Sequence, residues 1–335
     1  LNARAVRLLE RLRVWPSLQA HSTAVHDMRI SGDGGGALSF SSWQQCVGEL
    51  TWIVDAGALD QLLAEALRFS PNVTVVPPVG AQDVGKVAPL LAICEGKASA
   101  TRAALGVAVV KHDYGHWAVG ARLSASHAHL GVARQWFRSP DILALLPFHA
   151  PKPGASYGLV WSVPAAQAQS LRDLPRHEFE QSLQHAVSTS SPEALAEVGE
   201  LTLDADVQCW PLALGRVDPW CGPGWVLLGD AAHQVHPLAG QGLNLGLADV
   251  DQLVSVLARA RETEPWRSVG DERVLRRYAR ERWLAAWAMA SLTDGLLHLF
   301  SNSQGLTREL RNHGMGLLNR VSPVKRWLVS RALDV

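Results

Sequence analysis

The sequence predicts an α/β fold of two domains, and three observations carry that prediction. Residues 224–253, GWVLLGDAAHQVHPLAGQGLNLGLADVDQL, pass from an apolar strand through a Pro/Gly-rich loop into a helix, the strand–turn–helix order of an open parallel sheet. Residues 22–54, and those from Gly115 to about Trp161, alternate apolar and polar side chains in short runs, as half-buried strands do. After residue 260 the pattern is helical to the end. At 335 residues the chain is long enough for about two domains.

Along the chain, LNARAVRLLERLRVW reads as an amphipathic helix with Asn2 as N-cap and Val6, Leu9 and Leu12 on one face. STAVHDMRIS, GALSFSSW and GELTWIVD follow as strands joined by turns. Between two of them SGDGGGA formally satisfies G-x-G-x-x-A. A dinucleotide turn needs a buried strand before it and a helix after it, and strand-like text on both sides predicts a hairpin instead. ALDQLLAEALRFS predicts a helix over 58–70 with Leu59, Leu62, Leu63 and Leu67 at core spacing, and NVTVVPP a short buried strand. A strand over Leu90 to Cys94 runs into Glu95-Gly96, and a helical stretch then holds Arg102. Pro175 to Val198 is helical and polar, and VQCWPLALGRV leads into the opening motif.

Composition excludes several functions. Lys plus Arg number 31 and Asp plus Glu 31, so the basic excess of a bulk nucleic-acid binder is missing. No apolar run reaches the roughly 18 residues of a membrane span, and no signal-peptide pattern opens the chain. Cys46, Cys94, Cys209 and Cys221 show no C-x-x-C spacing, which fits a reducing cytoplasm and four buried, small apolar side chains. His127 with His129, and His233 with His236, lack a further ligand at fixed spacing, so no metal is expected. G-x-S-x-G is missing, which removes support for a serine hydrolase. Ordinary packing is expected for most of the 13 Trp.

Asp230 carries the chemistry. It closes a buried strand, Val226 to Leu228, and so sits at the carboxyl end of a parallel sheet, where such folds bind ligands. A carboxylate there can accept hydrogen bonds from the hydroxyls of a ribityl chain. Gly240, Gly242 and Gly246 let backbone approach a flat ring because no Cβ intrudes. A helix starting near Asn244 points free N–H groups and a partial positive charge outward, which suits the anionic edge of a reduced flavin.

GDAAHQVHPLAGQGLNLGLADV resembles the third FAD-binding motif of the single-component flavin-dependent aromatic hydroxylases. Within that class, LNARAVRLLERLRVW, TDGLLHLF and LRNHGMGLLNRVSPVKRWLVSRAL are similar to segments of the polyprenylphenol hydroxylases of ubiquinone biosynthesis, and the similarity covers nearly the whole chain. The resemblance implies a Rossmann-like, para-hydroxybenzoate hydroxylase-like FAD domain over 1–21, 55–110 and 205–335. It implies a mixed or antiparallel-sheet substrate domain over 22–54 and 111–204, with helices at the C-terminus. It further implies FAD, NAD(P)H as reductant, and O₂, with one oxygen atom delivered to a phenol ring that bears a polyprenyl tail. By position, Gly229 and Asp230 are expected at the ribityl and pyrophosphate region, and Pro237, Gly240, Gln241, Gly242, Leu243 and Asn244 along the isoalloxazine ring. Glu95, Gly96 and Arg102 stand where the family's Asp-Gly motif and its Arg do. No catalytic acid or base is assigned.

Two departures from the family are visible. Its members open with a strand, a G-x-G-x-x-G turn and a helix, and this chain is expected to begin after that segment. Glu95-Gly96-Lys97-Ala98-Ser99 replaces Asp-Gly with a following Asn-Ser, and Arg13 replaces a glycine usual after the first helix. At the C-terminal end Arg308, Arg311, Arg320, Lys325, Arg326 and Arg331 are interleaved with Trp327, Leu328 and Leu333. Two readings of it stay open: a tail packed on the FAD domain, and a surface resting on anionic lipid at the inner face of the membrane. A hydroxylase of a small soluble aromatic acid, or a non-catalytic scaffold or lipid-binding partner in a quinone-synthesis assembly, are the alternatives, and homo-oligomers fit any of them.

Overall fold

Asn2 caps the first helix, α1 (Ala3–Arg11), accepting from the Ala5 N–H at 2.9 Å. The computed structural model describes residues 1–32, 36–76, 88–234 and 241–301. The buried face of α1 is Ala5, Leu8 and Leu9, not the expected Val6, Leu9 and Leu12. The helix stops at Arg11, so Leu12 lies beyond its last turn and is 50% exposed. Arg13 then takes a left-handed backbone, φ 59°, where the family resemblance calls for glycine. Arg13→Gly is therefore expected to stabilise the fold by about 1 kcal/mol, read as a raised urea midpoint at constant slope.

α2 (Trp15–Gln19) leads to β1 (Ser22–Val25), and β2 (Asp27–Gly32) follows. β3 (Ala37–Ser41) pairs with β2 antiparallel, Ser31 opposite Ala37, and the Gly32 N–H donates to Gly36 O at 2.8 Å. The glycine-rich stretch is thus a hairpin connection. α3 (Ser42–Gln45) precedes β4 (Thr51–Val54), which pairs antiparallel with β1. α4 (Ala56–Arg68) is capped by Asp55, but only Leu59 of its expected apolar face is buried, and Leu67 is 46% exposed. Leu62 and Leu63 are half-buried. Val73, Val75 and Val76, expected in a buried strand, are exposed and unladdered, so their β-propensity finds no partner edge.

β5 (Leu91–Ile93) and α5 (Ala100–Ala104) fall where expected. β6 (Val109–Ala125), β7 (Val132–Arg138), β8 (Asp141–Phe148) and β9 (Ser156–Pro164) then build a large sheet in the order β6-β9-β8-β7-β2-β3. β2 and β7 run parallel and the other neighbours antiparallel, which makes the sheet mixed. α6 (Ala165–Asp173), α7 (Arg176–Ser190) and α8 (Pro192–Val198) complete this region, and β10 (Leu201–Leu203) adds to β6. Phe179, Leu183 and Val187 of α7 share one core with Leu143, Leu159 and Trp161 of the sheet.

Internal contacts divide the chain into two units. Among the described residues, the first holds those within Leu1–Phe69 and Gly115–Leu212 and the end of the last helix from Leu296; the second holds those within Ser70–Tyr114 and Ala213–Gly295. β11 (Gln208–Val217) carries the chain into the second unit. There β12 (Cys221–Gly222), β13 (Trp225–Leu227) and β5 form a three-stranded sheet in which β13 and β5 are parallel. β14 (His233–Gln234) pairs with Gly215 and Arg216 of β11. α9 (Gln241–Thr263) and α10 (Glu272–Ser301) follow. Leu253 and Val256 of α9 and Val274, Leu275 and Tyr278 of α10 close over Val226 and Leu228. The Tyr278 hydroxyl donates to Leu227 O at 3.0 Å.

Two compositional expectations are corrected. Only Cys221 is buried; Cys46 and Cys94 are exposed and Cys209 is half-buried. Cys46 ends a short helix with a left-handed backbone, and Cys94 sits where β5 runs out into a turn. Trp15, Trp136, Trp161 and Trp220 are core residues, whereas Trp43 and Trp266 are 85% and 74% exposed. Among the described residues no helix is long and apolar enough to cross a membrane, and no cluster of His, Cys, Asp and Glu could hold a metal.

Candidate cofactor site

The second unit's parallel strand β13 is Trp-Val-Leu, buried at Val226 and Leu227, and it ends in a 3₁₀ turn over Gly229–Ala231. Gly229 has φ 58°, a conformation costly for any residue with a Cβ. It also faces Gly246 of α9: a Cβ built on Gly246 would stand 3.5 Å from the Gly229 Cα. The helix backbone therefore lies against the end of the strand. Asp230 follows, half-buried, and among the described residues its carboxylate has no hydrogen-bond or ion-pair partner. A Cβ on Gly242 would come within 3.9 Å of Asp230 Oδ1.

α9 is described from Gln241, three residues before the expected start at Asn244. Its first turn therefore contains Gln241, Gly242, Leu243 and Asn244. Gln241 and Asn244 are buried and joined, Asn244 Nδ2 donating to Gln241 Oε1 at 3.3 Å, while Leu243 is 44% exposed. Pro237 and Gly240 lie outside the described residues.

A buried network fixes this strand end to both helices. Asp249 of α9 is fully buried, and its Oδ2 accepts from the Gly229 N–H at 2.9 Å and lies 2.7 Å from His233 Nε2. Its Oδ1 accepts from Arg282 Nε of α10 at 2.6 Å, and Arg282 Nη2 also donates to Leu245 O. Burial pushes the Asp249 carboxyl up, but the hydrogen bond and charge of His233, with those of Arg282, outweigh it and hold the group below the usual carboxylate range. The His233 ring leans on Trp220, centroids 5.1 Å apart, and its Nδ1 is buried without a partner among the described residues.

The second expected motif is brought to the first by Arg102. Its guanidinium, 5% exposed, donates through Nη1 to Ala231 O at 2.9 Å and through Nη2 to Lys97 O at 3.0 Å. Glu95 is exposed, yet both its oxygens are engaged: Oε2 accepts from Ser99 Oγ at 2.7 Å and Thr101 N at 3.0 Å, and Oε1 from Thr101 Oγ1 at 2.6 Å. These bonds, Thr101 first and Ser99 next, hold the Glu95 carboxyl below its ordinary value. Gly96 supplies the left-handed turn, φ 75°, that returns the chain to α5. The extra methylene of Glu over Asp is thus used to reach the first turn of α5.

Gly229, Asp230, Gln241, Gly242, Leu243 and Asn244 lie at one strand–helix junction, and Arg102 links Glu95 and Gly96 to it through Ala231. Asp249, Arg282 and the role of His233 were missed in the sequence. The available signal was an Asp in the otherwise apolar helical run GLNLGLADV, since a mid-helix carboxylate facing a core needs partners. Chemically, the junction offers an unengaged carboxylate for hydroxyl donors, a glycine surface open to a flat group, and helix-end N–H groups for negative charge. That donor and acceptor set fits a flavin with a ribityl chain.

Comparisons with known proteins identify the family. A family model described as FAD binding domain matches residues 1–293. Ubiquinone hydroxylase UbiL of Rhodospirillum rubrum is 27% identical over 345 residues, spanning 98% of this chain and 77% of that protein. The 3-demethoxyubiquinol 3-hydroxylase of Escherichia coli is 29% identical, spanning all of this chain and 86% of its own length. Human ubiquinone biosynthesis monooxygenase COQ6 is 31% identical over 72% of this chain, which covers only 56% of that relative. Among solved structures, Pseudomonas aeruginosa PqsL in complex with 2-aminobenzoylacetate superposes with a TM-score of 0.73 at 20% identity, covering 94% of this chain and 87% of PqsL. The p-nitrophenol 4-monooxygenase PnpA of Pseudomonas putida gives 0.71 at 16%, covering 97% and 84%. At those identities the likeness is one of fold.

Proposed function

The chain belongs to the FAD-binding domain family, and on that premise we propose that it hydroxylates the ring of a polyprenylated phenol in ubiquinone biosynthesis. The observation that carries this reading is the junction where Gly229 meets Gly246 and the Asp230 carboxylate has no partner among the described residues. Held there, FAD reduced by NAD(P)H would supply the activation of O₂ needed to hydroxylate an electron-rich ring. Asp230 would accept from the ribityl hydroxyls. Gly242 would give the ring edge room, and the N–H groups of the first turn of α9 would face its negative charge. Glu95, Gly96 and Arg102 hold the neighbouring turn in place, and Asp249 holds Gly229. The ring substrate is taken by analogy with the named activities of the relatives, and the supporting chemistry is a site built for a flavin.

The visible absorption spectrum of the purified chain tests the reading, taken after excess FAD is added and the unbound part removed. A retained flavin spectrum is expected, followed by NAD(P)H- and O₂-dependent mass gain of one oxygen on a polyprenylphenol. No retained flavin would remove catalysis by this chain and favour a scaffold role. Asp230→Ala is expected to weaken FAD binding about tenfold or more, because it deletes a charge-assisted acceptor, with the far-UV spectrum unchanged. An unaltered Kd by flavin fluorescence would take Asp230 out of the site.

A further inference from the structure

A turn in the first unit is held by an imidazole that has to stay neutral. His129 stands just before β7, and its Nδ1 accepts the Gly131 N–H at 3.0 Å. A backbone N–H can only donate, so Nδ1 carries a lone pair there. Leu130 and Gly131 both take left-handed backbones, φ 50° and 68°, which is a strained conformation at the leucine. The Gly131 carbonyl starts the parallel seam of the large sheet: it accepts from the His26 N–H at 2.9 Å and from the Asp27 N–H at 3.4 Å, where Asp27 pairs with Val132. In the described sheet β2 and β3 reach the other strands only through β7. His129 is 5% exposed, and its Nε2 is buried without a hydrogen-bond partner among the described residues. Burial holds the imidazole below its ordinary value; the Phe148 carbonyl opposes that and the Arg134 guanidinium of β7 adds to it. The Tyr157 ring of β9 lies 5.8 Å away, its hydroxyl on Arg134. The carboxylates of the neighbouring elements are Asp27 of β2 and Glu197 of α8, and Glu197 is already shared by Arg134 and Arg29. Two more imidazoles, His26 and His149, line the same cavity of about 520 Å³. Burial lowers His149 as well, with Asp55 opposing and His21 and Arg122 adding to the effect.

We propose that His129 is an acid-sensitive latch: when its ring takes a second proton, the Gly131 N–H is expelled and β2 parts from β7, while the rest of the sheet stays closed. Nδ1–H then faces the Gly131 N–H, donor against donor, and a second positive charge lies buried beside Arg134. The Gly131 peptide turns away, and the His26 and Asp27 bonds to its carbonyl go with it. Strain at Leu130 favours the same release. In the opened state the ring is in water and titrates near 6.5, and in the closed state it titrates lower. Acid therefore protonates the opened state first, so the latch is fully closed above about pH 6.5 and loosens as pH falls below it. This device is separate from the hydroxylase reading and does not depend on it.

Amide hydrogen exchange of the full chain at about pH 7.5 and about pH 5.5, each corrected for intrinsic rates, tests the latch. Protection over β2 should fall at least about threefold in acid, with a ceiling near tenfold set by one proton, while β8 and β9 keep theirs. His129→Asn retains an acceptor, since an asparagine side chain bonds the backbone two residues on, but it has no proton to gain in this range. Its β2 protection should be the same at both pH values, whereas His149→Gln should respond as the wild type does. Three results overturn the inference: wild-type β2 protection unmoved by acid, a loss shared equally by β8 and β9, or a full acid response in His129→Asn. If His129→Asn does not fold, exchange at the imidazole carbon between the ring nitrogens decides in the wild type. The His129 ring should then titrate below about 6.5, and titration at or above that value sinks the latch.

Discussion

Asp249→Asn is expected to destabilise the protein by about 3–5 kcal/mol, the largest effect of any single polar substitution in the second unit. The carboxylate serves three donors at once: the Gly229 N–H, His233 and the Arg282 guanidinium. Asparagine keeps one acceptor oxygen and turns an NH₂ group toward a donor, so at least one contact becomes repulsive. The heavier loss is electrostatic, since Arg282 is 5% exposed and would be left as a buried charge without a counter-ion. Urea unfolding of Asp249→Asn, Arg282→Met and the double variant makes the case quantitative. The double variant should be less damaged than the sum of the singles, because removing both charges spares the cost of leaving one unpaired. Additive losses would show that the pair is not coupled.

The same residue sets an acid limb. Its folded carboxyl lies below the unfolded value of about 3.9, so the unfolded chain takes up the proton first as pH falls. The stabilisation is full above about pH 4 and is lost as pH drops below that value toward the lower folded one. Asp249→Asn should therefore flatten the decline of stability below pH 4 while lowering stability at neutral pH. An acid limb unchanged in the variant would place its origin elsewhere, with Glu95 and Glu197 the next carboxyls held low by their hydrogen-bond partners.

Local periodicity and turn chemistry made most of this fold legible. The strand into Gly229-Asp230, the hairpin across the glycine-rich stretch and the helix carrying Arg102 are each determined within about ten residues of sequence. Where the expectation failed, the deciding partner lay far away. Whether Leu67 of α4 or Val75 finds cover depends on elements that no local pattern encodes, and both are exposed. The site divides the same way. Asp230 and Gly242 are legible because a glycine-flanked carboxylate at a strand end has a recognisable text. Asp249 meets its partners across 16, 20 and 33 residues, so it stayed hidden in an apolar helix. Glu95 stands out in the sequence as a longer replacement for Asp, and that length lets it reach Ser99 and Thr101.

Arg102→Ala is expected to abolish retention of FAD while leaving the first unit folded. The side chain ties the Glu95 turn to the strand end, one arm on Ala231 O and the other on Lys97 O, where Gln234 Nε2 also donates at 3.4 Å. Ala231 is fully buried, so its carbonyl would lose its donor out of reach of water, a cost of about 1–3 kcal/mol. Loss of the buried guanidinium stem leaves a void beside the same turn and adds to that cost. Because Ala231 directly follows Asp230, movement there displaces the acceptor proposed for the ribityl chain. Arg102→Lys separates geometry from charge: an ammonium keeps the charge but cannot span two carbonyls as the planar fork does. Flavin affinity should fall in the order wild type, Arg102→Lys, Arg102→Ala, with the lysine variant losing at least about tenfold. If Arg102→Lys binds FAD as tightly as the wild type, charge alone suffices and the two-carbonyl brace has no part in building the site.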